Sequence, residues 1–192
     1  MVCITTDGPC VGYTPLEQQG ADTQLKWKER NPPLLSHSIA SHCFGFEADF
    51  TGDLRCIPMA VRRKLDLAGV KLKLVHWGGL SAAERQELLI WADDAAAIAA
   101  MRRWLLDRTV GMADGAAKEL PPAVDQPWQQ LQDWPEVLRQ SCEQLDLALQ
   151  RDGWQRLDEL QRFALVKLSH PGHEHRNLPA ALAEFNLLQA GG

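Results

Sequence analysis

The chain has 192 residues, of which 45% are hydrophobic, and it carries a formal net charge of −5. A chain of this length and composition can bury a hydrophobic core of its own as a single domain. The acidic balance argues against a broad electrostatic interface with nucleic acid or anionic lipid, because such interfaces need clustered lysine and arginine.

The sequence contains no segment that is apolar enough to cross a membrane. The most apolar window, residues 88–106, is interrupted by Asp93, Asp94, Arg102 and Arg103, and charged side chains are costly in hydrocarbon. The N-terminus lacks a basic stretch followed by an apolar run, which is the pattern of a secretory signal. The five cysteines form no CxxC pair, so neither a disulfide framework nor a zinc ribbon is indicated. We therefore expect a cytoplasmic protein.

Residues 1–43 are rich in glycine, proline and small polar residues, and their apolar periodicity is weak. This composition predicts a poorly ordered, flexible N-terminal tail. Residues 44–192 are expected to form a single domain. Within it, a stretch rich in glycine, alanine and proline at 111–127 reads as a linker between a first unit (44–110) and a second (128–192).

The first unit opens with an alternating pattern. Phe44, Phe46, Ala48 and Phe50 are separated by glycine and acidic residues, and a period of two is typical of an extended segment with one buried face. Residues 70–74 alternate in the same way. The sequence therefore predicts two short extended segments, which are candidates to pair with each other.

A helix is predicted between these segments. Pro58 suits its first turn, and Gly69 can supply the positive φ that is common just past a helix end. The residues expected on its solvent-exposed face are Arg62, Arg63, Lys64 and Asp66.

Two further helices follow in the first unit. Ser81 and Glu84 have the spacing of a capping box, in which each side chain bonds the free backbone N–H of the other residue. Asp93 or Asp94 is expected to cap a longer helix that ends near Thr109.

A shift of 77 residues reveals an internal repeat. It aligns Pro58 with Pro135 and Trp77 with Trp154, and a second capping box follows the second tryptophan. The predicted fold is therefore mainly α, a compact helical bundle of two related helical hairpins with one or two short extended segments. The hairpins are expected to pack face to face around the tryptophans. The second capping box consists of Asp158 and Gln161. Arg85 and Arg162 are also aligned by the shift, and we expect each of them to form an ion pair on the helix surface or between helices.

Two places could carry chemistry. A loop near the C-terminus holds candidate metal ligands, since imidazoles and carboxylates suit zinc, nickel or iron. Its spacing matches no established site, so a polar loop that hydrogen-bonds helix ends is favoured, and we assign neither a metal nor another cofactor. Cys56 follows Arg55 near a helix start, an environment that favours a thiolate, although a packed cysteine is the favoured interpretation. The loop candidates are His170, His173, Glu174 and His175.

Two long stretches resemble the nitrate reductase-associated protein family of cyanobacteria and some other bacteria. They are FGFEADFTGDLRCIPMAVRRKLDLAGVKLKLVHWGGLSAAER and LQRFALVKLSHPGHEHRNLPAALAEF. The resemblance spans about residues 44–187, and the blocks F-x-F-E-x-D-F and L-R-C-I-P-M carry it most specifically. Family members are encoded near genes for assimilatory nitrate reductase and molybdopterin synthesis. No catalytic residue can be carried over from the family.

The resemblance implies a non-enzymatic accessory or maturation factor. Such a protein would bind the nitrate reductase apo-protein during insertion of its molybdenum cofactor or iron–sulfur cluster, or would protect the open apoprotein. Two alternatives stay open: an enzyme acting on the cofactor or its precursor through Cys56 or His173, and a metal- or nitrogen-responsive regulator. The residues expected to contact the partner are Glu47, Asp49, Arg55, Cys56, Arg62, His173 and Glu174.

Overall fold

Helices make up most of the described chain. The structure, a computed structural model, describes residues 43–170 and 176–189. The mainly α prediction is confirmed for these residues, whereas the predicted tail lies outside them except for Cys43. In chain order the elements are a 3-10 turn (Gly45–Glu47), α1 (Ala48–Thr51), α2 (Met59–Ala68), β1 (Val70–Lys71), α3 (Leu74–Gly79), α4 (Ala82–Ile90), α5 (Ala95–Thr109), β2 (Lys118–Glu119), a 3-10 turn (Pro127–Gln129), α6 (Glu136–Gln144), α7 (Gly153–Arg156), α8 (Glu159–Leu168) and α9 (Leu178–Glu184).

The first alternating segment is helical, so its prediction as an extended strip was wrong. Side-chain carboxylates accept the hydrogen bonds that these backbone N–H groups would otherwise donate to a neighbouring strand. Glu184, on α9, accepts hydrogen bonds from the backbone N–H groups of Gly45 and Phe46 at 2.8 and 3.0 Å. The alternation reflects the packing of two rings, the buried Phe44 and the half-buried Phe46, on Phe185 just past the end of α9, with centroids 5.0 and 6.2 Å apart.

Local signals place the ends of α2 as predicted. Pro58 directly precedes its first residue, and Gly69 follows its last residue with φ 62° and ψ 47°. The N–H of Gly69 bonds to the carbonyl of Asp66 at 3.1 Å, which closes the helix.

The second extended segment pairs with the linker and not with residues 44–50. β1 and β2 are antiparallel, with Val70 opposite Glu119 and Lys71 opposite Lys118. Two further backbone bonds fasten the linker to the end of α2, from Leu120 N–H to the Gly69 carbonyl at 2.8 Å and from Ala123 N–H to the Asp66 carbonyl at 2.9 Å. These bonds hold the stretch predicted as a linker against the end of α2.

The repeat seen in the sequence is a structural repeat. Helix α6 begins 77 residues after the start of α2, and α8 begins 77 residues after the start of α4. Both capping boxes form: Ser81 Oγ accepts from Glu84 N–H at 3.2 Å, and Asp158 Oδ1 accepts from Gln161 N–H at 2.8 Å. The prediction of two related helical hairpins is confirmed.

The two hairpins meet through α2 and α8, which pack against each other. The first hairpin buries α2 against α5, and the second buries α8 against α9 and the turn Pro127–Gln129. Trp77 and Trp154 are both buried, one in each hairpin. Within residues 43–170 and 176–189, none of the helices combines the length and apolar character needed to cross a lipid bilayer.

Candidate functional site

Glu47, expected at the partner-binding surface, lies inside the protein. Its side chain is 1% exposed. One carboxylate oxygen accepts from Met59 N–H at 2.9 Å, at the start of α2, and the other accepts from Phe44 N–H at 3.2 Å. Burial raises the pKa of the Glu47 carboxyl, and these two N–H groups and Arg62 partly oppose that rise. Glu47 therefore caps α2 from within, and its prediction as a direct partner contact is corrected.

Four of the predicted contact residues lie together around the start of α2, and we call them the helix-start rim. Arg55 is exposed and bonds the backbone carbonyl of Asp49 and the carboxylate of Asp53. Arg62 is also exposed and donates from Nε to the Ile57 carbonyl at 2.8 Å. The two guanidinium groups thus brace the loop between α1 and α2 from its solvent side. The helix-start rim consists of Asp49, Arg55, Cys56 and Arg62, of which Cys56 is half-buried.

The predicted histidine loop falls largely outside the described residues. His173, Glu174 and His175 lie in the segment 171–175, so the roles predicted for them in partner or metal binding stay predictions. His170 is described and is exposed at the end of α8. Over the described ranges, no group of three or more histidine, cysteine, aspartate or glutamate side chains is arranged to hold a metal ion.

Lys64 is a buried charge that sequence reasoning placed on the solvent face of α2. It is 0% exposed, and its Nζ donates to the carbonyls of Leu88 and Leu89 at 3.1 and 2.8 Å. Burial lowers the pKa of the Lys64 ammonium to about 7, because desolvation penalises the charged form. Lys64 therefore ties the middle of α2 to the C-terminal end of α4.

Arg63 was also expected in solvent, and it joins the two hairpins instead. Its guanidinium lies 2.8 Å from an oxygen of Asp93 and 2.6 Å from an oxygen of Glu159. Its side chain is 10% exposed, and Glu159 is the first residue of α8. Ion pairs shielded in this way are screened by salt less than exposed ones. The pair between Arg63 and Glu159 depends on the packing of α2 against α8. The sequence of one hairpin alone therefore could not predict it.

The aligned arginines Arg85 and Arg162 donate hydrogen bonds to backbone carbonyls, and these bonds replace the ion pairs that were expected from the sequence. Arg85 donates from Nε to the Leu80 carbonyl at 3.1 Å, and Arg162 donates to the carbonyl of Leu157, the equivalent position in the second hairpin. A second bond of Arg162 reaches the Trp128 carbonyl at 3.0 Å. Both guanidinium groups therefore fasten the chain that enters their own helix.

The repeated tryptophans do the same for the segments before their hairpins. The Trp77 indole donates to the Leu54 carbonyl at 2.7 Å, and the Trp154 indole donates to the Gln130 carbonyl at 2.9 Å. A buried indole N–H needs such an acceptor. In both hairpins, therefore, the tryptophan and the arginine that follows it hold neighbouring backbone segments in place through hydrogen bonds to carbonyl groups.

We expect Glu47→Ala to lower the free energy of unfolding by about 1–3 kcal/mol, because it leaves two backbone N–H groups without their carboxylate acceptor. Asp49→Ala is the matched control, since its side chain is exposed, and it should change the unfolding free energy by no more than about 0.5 kcal/mol. Urea unfolding followed by tryptophan fluorescence measures both values. Equal losses in the two variants would contradict the internal role of Glu47.

These contacts define a class of protein: a duplicated helical scaffold whose buried charged groups are bonded largely to its own backbone, with an exposed polar rim at one helix start. The chain belongs to the family of conserved nitrate reductase-associated proteins, whose sequence pattern matches residues 43–185. The resemblance drawn from the sequence is thereby confirmed. No curated protein and no solved structure matches the chain.

Proposed function

We propose that the protein is a non-enzymatic accessory or maturation factor for assimilatory nitrate reductase. It binds the apoenzyme while the molybdenum cofactor or iron–sulfur cluster is inserted, or it protects the open apoprotein. Membership of the nitrate reductase-associated family supports the link to the reductase. Two alternatives drawn from the sequence stay open: an enzyme acting on the cofactor or its precursor through Cys56 or His173, which is tested below at Cys56, and a metal- or nitrogen-responsive regulator.

The observation that carries this proposal is how the buried charges are used. Glu47, Lys64 and Arg162 direct their hydrogen bonds to backbone groups. Charged groups committed in this way fasten segments of the scaffold to one another. The helix-start rim adds an exposed polar surface to that scaffold, and a docking protein needs this combination of a rigid support and an accessible polar surface.

The test is a deletion strain grown on nitrate as the nitrogen source. We expect the reductase polypeptide to be present while its activity and its bound molybdenum and iron fall together. A strain that keeps full reductase activity without the protein would refute the proposal. Co-purification of the apoenzyme with the tagged protein, measured in the complemented strain, distinguishes direct binding from an indirect effect.

Complementation locates the surface. Arg55→Glu with Arg62→Glu inverts the charge of the helix-start rim and should restore less reductase activity than the wild type. The control is Arg103→Glu with Arg151→Glu, which changes the net charge equally at two exposed arginines elsewhere and should complement fully. Thermal melting of each variant checks that the fold is kept. Equal complementation by the two variants would remove the helix-start rim from the proposal.

Cys56→Ser separates a docking role from a thiol enzyme. The side chain is half-buried, and serine keeps its size, so a docking protein should complement to within a few-fold of the wild type. Complete loss of complementation by a folded Cys56→Ser protein would favour the enzymatic alternative, because the thiolate is the attacking species in such chemistry.

A further inference from the structure

The antiparallel pair β1–β2 places two lysines directly opposite each other. Lys71 and Lys118 are cross-strand partners, and both are exposed. Side chains opposite each other in an antiparallel pair lie on the same face, and like charges there are destabilising. Among residues 43–170 and 176–189, neither ammonium has a carboxylate within ion-pair distance. This arrangement costs stability in the isolated protein.

The strand that carries Lys118 is held firmly, so the opposition of the lysines is built into the fold. The N–H of Leu120 bonds to the Gly69 carbonyl at 2.8 Å, and the guanidinium of Arg102 bonds to the same carbonyl at 2.8 Å. Arg102 also pairs with the carboxylate of Glu119. These contacts fix the register of β2 against β1, and the two ammonium groups cannot separate by sliding of the strands.

A third lysine and two exposed aliphatic side chains follow Lys71 along the chain. Lys73 is extended (φ −79°, ψ 159°) and exposed, two residues after Lys71, and its ammonium lies 2.5 Å from a carboxylate oxygen of Asp114. Leu74 and Val75 follow at the start of α3 and are 56% and 55% exposed. We call Lys71, Lys73, Lys118, Leu74 and Val75 the lysine face.

The lysine face has a charge opposite to that of the whole protein. Of its three lysines, Lys73 pairs with the carboxylate of Asp114, whereas the chain as a whole has a formal net charge of −5. A local basic surface of this kind attracts acidic groups.

We propose that the lysine face binds an acidic amphipathic segment of a partner polypeptide. Carboxylates of the segment bridge Lys71 and Lys118, and its apolar side chains cover Leu74 and Val75. Binding removes the like-charge repulsion and buries the exposed aliphatic groups in one step. Where the partner is nitrate reductase, the inference rests on the proposed function and names a second contact surface beyond the helix-start rim.

A polypeptide fits this surface better than a nucleic acid or a membrane. Nucleic-acid binding rests on many phosphate contacts, and anionic-lipid binding on clusters of about four to eight basic residues; the lysine face has three lysines, one of them already paired. The aliphatic side chains of Leu74 and Val75 would have no counterpart in a phosphate backbone.

Lys118→Glu alone tests the arrangement, because stability and binding should move in opposite directions. The variant sets a carboxylate opposite Lys71, so we expect the urea midpoint of unfolding to rise. Binding of an acidic amphipathic peptide should fall roughly tenfold or more, since one bridging charge is lost and a repulsive one is added. A residue with only a structural role would not separate the two readouts in this way.

The binding probes are synthetic peptides of equal length that combine leucine with glutamate, with lysine or with glutamine. Binding is measured by fluorescence anisotropy for the wild type, for Lys71→Glu with Lys118→Glu, and for the control Arg103→Glu with Arg151→Glu. We expect the wild type and the control to bind the glutamate peptide alone, and the lysine-face variant to lose it. Preference of the wild type for another peptide, or equal binding by the two charge variants, would overturn the inference.

Anionic phospholipid vesicles and a duplex oligonucleotide are measured in the same assay. Tighter binding of either one, lost in the lysine-face variant, would overturn the choice of a polypeptide partner.

Purified nitrate reductase apoenzyme separates this inference from the proposed function. If the glutamate peptide binds the lysine face and the apoenzyme does not bind the protein, the lysine face stands and the proposed function falls. If the apoenzyme binds the wild type and the lysine-face variant equally, the proposed function stands, and the lysine face is overturned as a contact with the reductase.

Discussion

Gly69→Ala is expected to lower the free energy of unfolding by about 3 kcal/mol or more. Two costs combine at this position. Its φ of 62° lies in the left-handed region, which costs an alanine about 1–2 kcal/mol. An added Cβ would also press against the Leu120 carbonyl oxygen and lie 2.8 Å from the backbone N of Pro122. Backbone atoms fixed by the β1–β2 pair cannot move aside, and overpacking of this kind adds about 1–3 kcal/mol.

Two other glycines separate these costs. Gly115 has a φ of 74° with open space around it, so Gly115→Ala should carry the conformational cost alone. Gly78 lies in α3 with open space and no positive φ, so Gly78→Ala should be neutral or slightly stabilising. Urea unfolding of the three variants gives the values. A loss at Gly69 no larger than the loss at Gly115 would show that the linker does not press against the end of α2.

Lys64 should make the stability of the protein rise with pH near neutrality. Its pKa is lowered from 10.5 to about 7 in the folded protein. Between these two values the unfolded chain holds a proton that the folded chain has released, and the unfolding free energy therefore increases with pH. From about pH 6.5 to about pH 8.5 this linkage amounts to about 2 kcal/mol. Below the folded pKa the contribution becomes constant, because both states are protonated.

The measurement compares the pH dependence of urea unfolding in the wild type, Lys64→Met and Lys71→Met. Lys64→Met should remove the rise, and Lys71→Met, at an exposed lysine, should keep it. Burial raises the pKa of the Cys43 and Cys142 thiols, to about 11 for Cys142, so above about pH 9 these groups lower stability as pH increases. The comparison is therefore made below that pH. Parallel profiles for all three proteins would contradict a buried ammonium at position 64.

The elements that the sequence predicted correctly depend on local signals. Pro58 and Gly69 mark the ends of α2 because their backbone preferences act at their own positions. Ser81 with Glu84 forms a capping box because both partners lie within one turn of helix. The repeat could be detected for the same reason, since a tryptophan and an arginine recur at the same spacing from the N-cap residues Ser81 and Asp158.

The errors arise where distant residues decide. Residues 44–50 alternate as a strand would, but they are held as helical turns by Glu184, which is 138 and 139 residues away from its two hydrogen-bond donors. The sequence pattern around Lys64 predicts an exposed lysine. In the structure its Nζ donates to two carbonyl oxygens of α4, which lie 24 and 25 residues away in sequence.

The candidate surface was predictable only in part. Asp49, Arg55 and Arg62 are exposed as expected, while Glu47 turned inward because the start of α2 needs an acceptor for its free N–H groups. The lysine face had no sequence signal at all. Lys71 and Lys118 become neighbours only through the register of β1 and β2, which periodicity does not encode.

The ion pairs of Arg63 have a consequence for the way the chain is made. One carboxylate partner, Asp93, is synthesised 30 residues after the arginine, and the other, Glu159, 96 residues after it. A ribosome that has released the first hairpin has not yet produced the helix that covers this guanidinium. We therefore expect the nascent first hairpin to keep this side exposed until Glu159 has been synthesised, a period in which general chaperones can bind it.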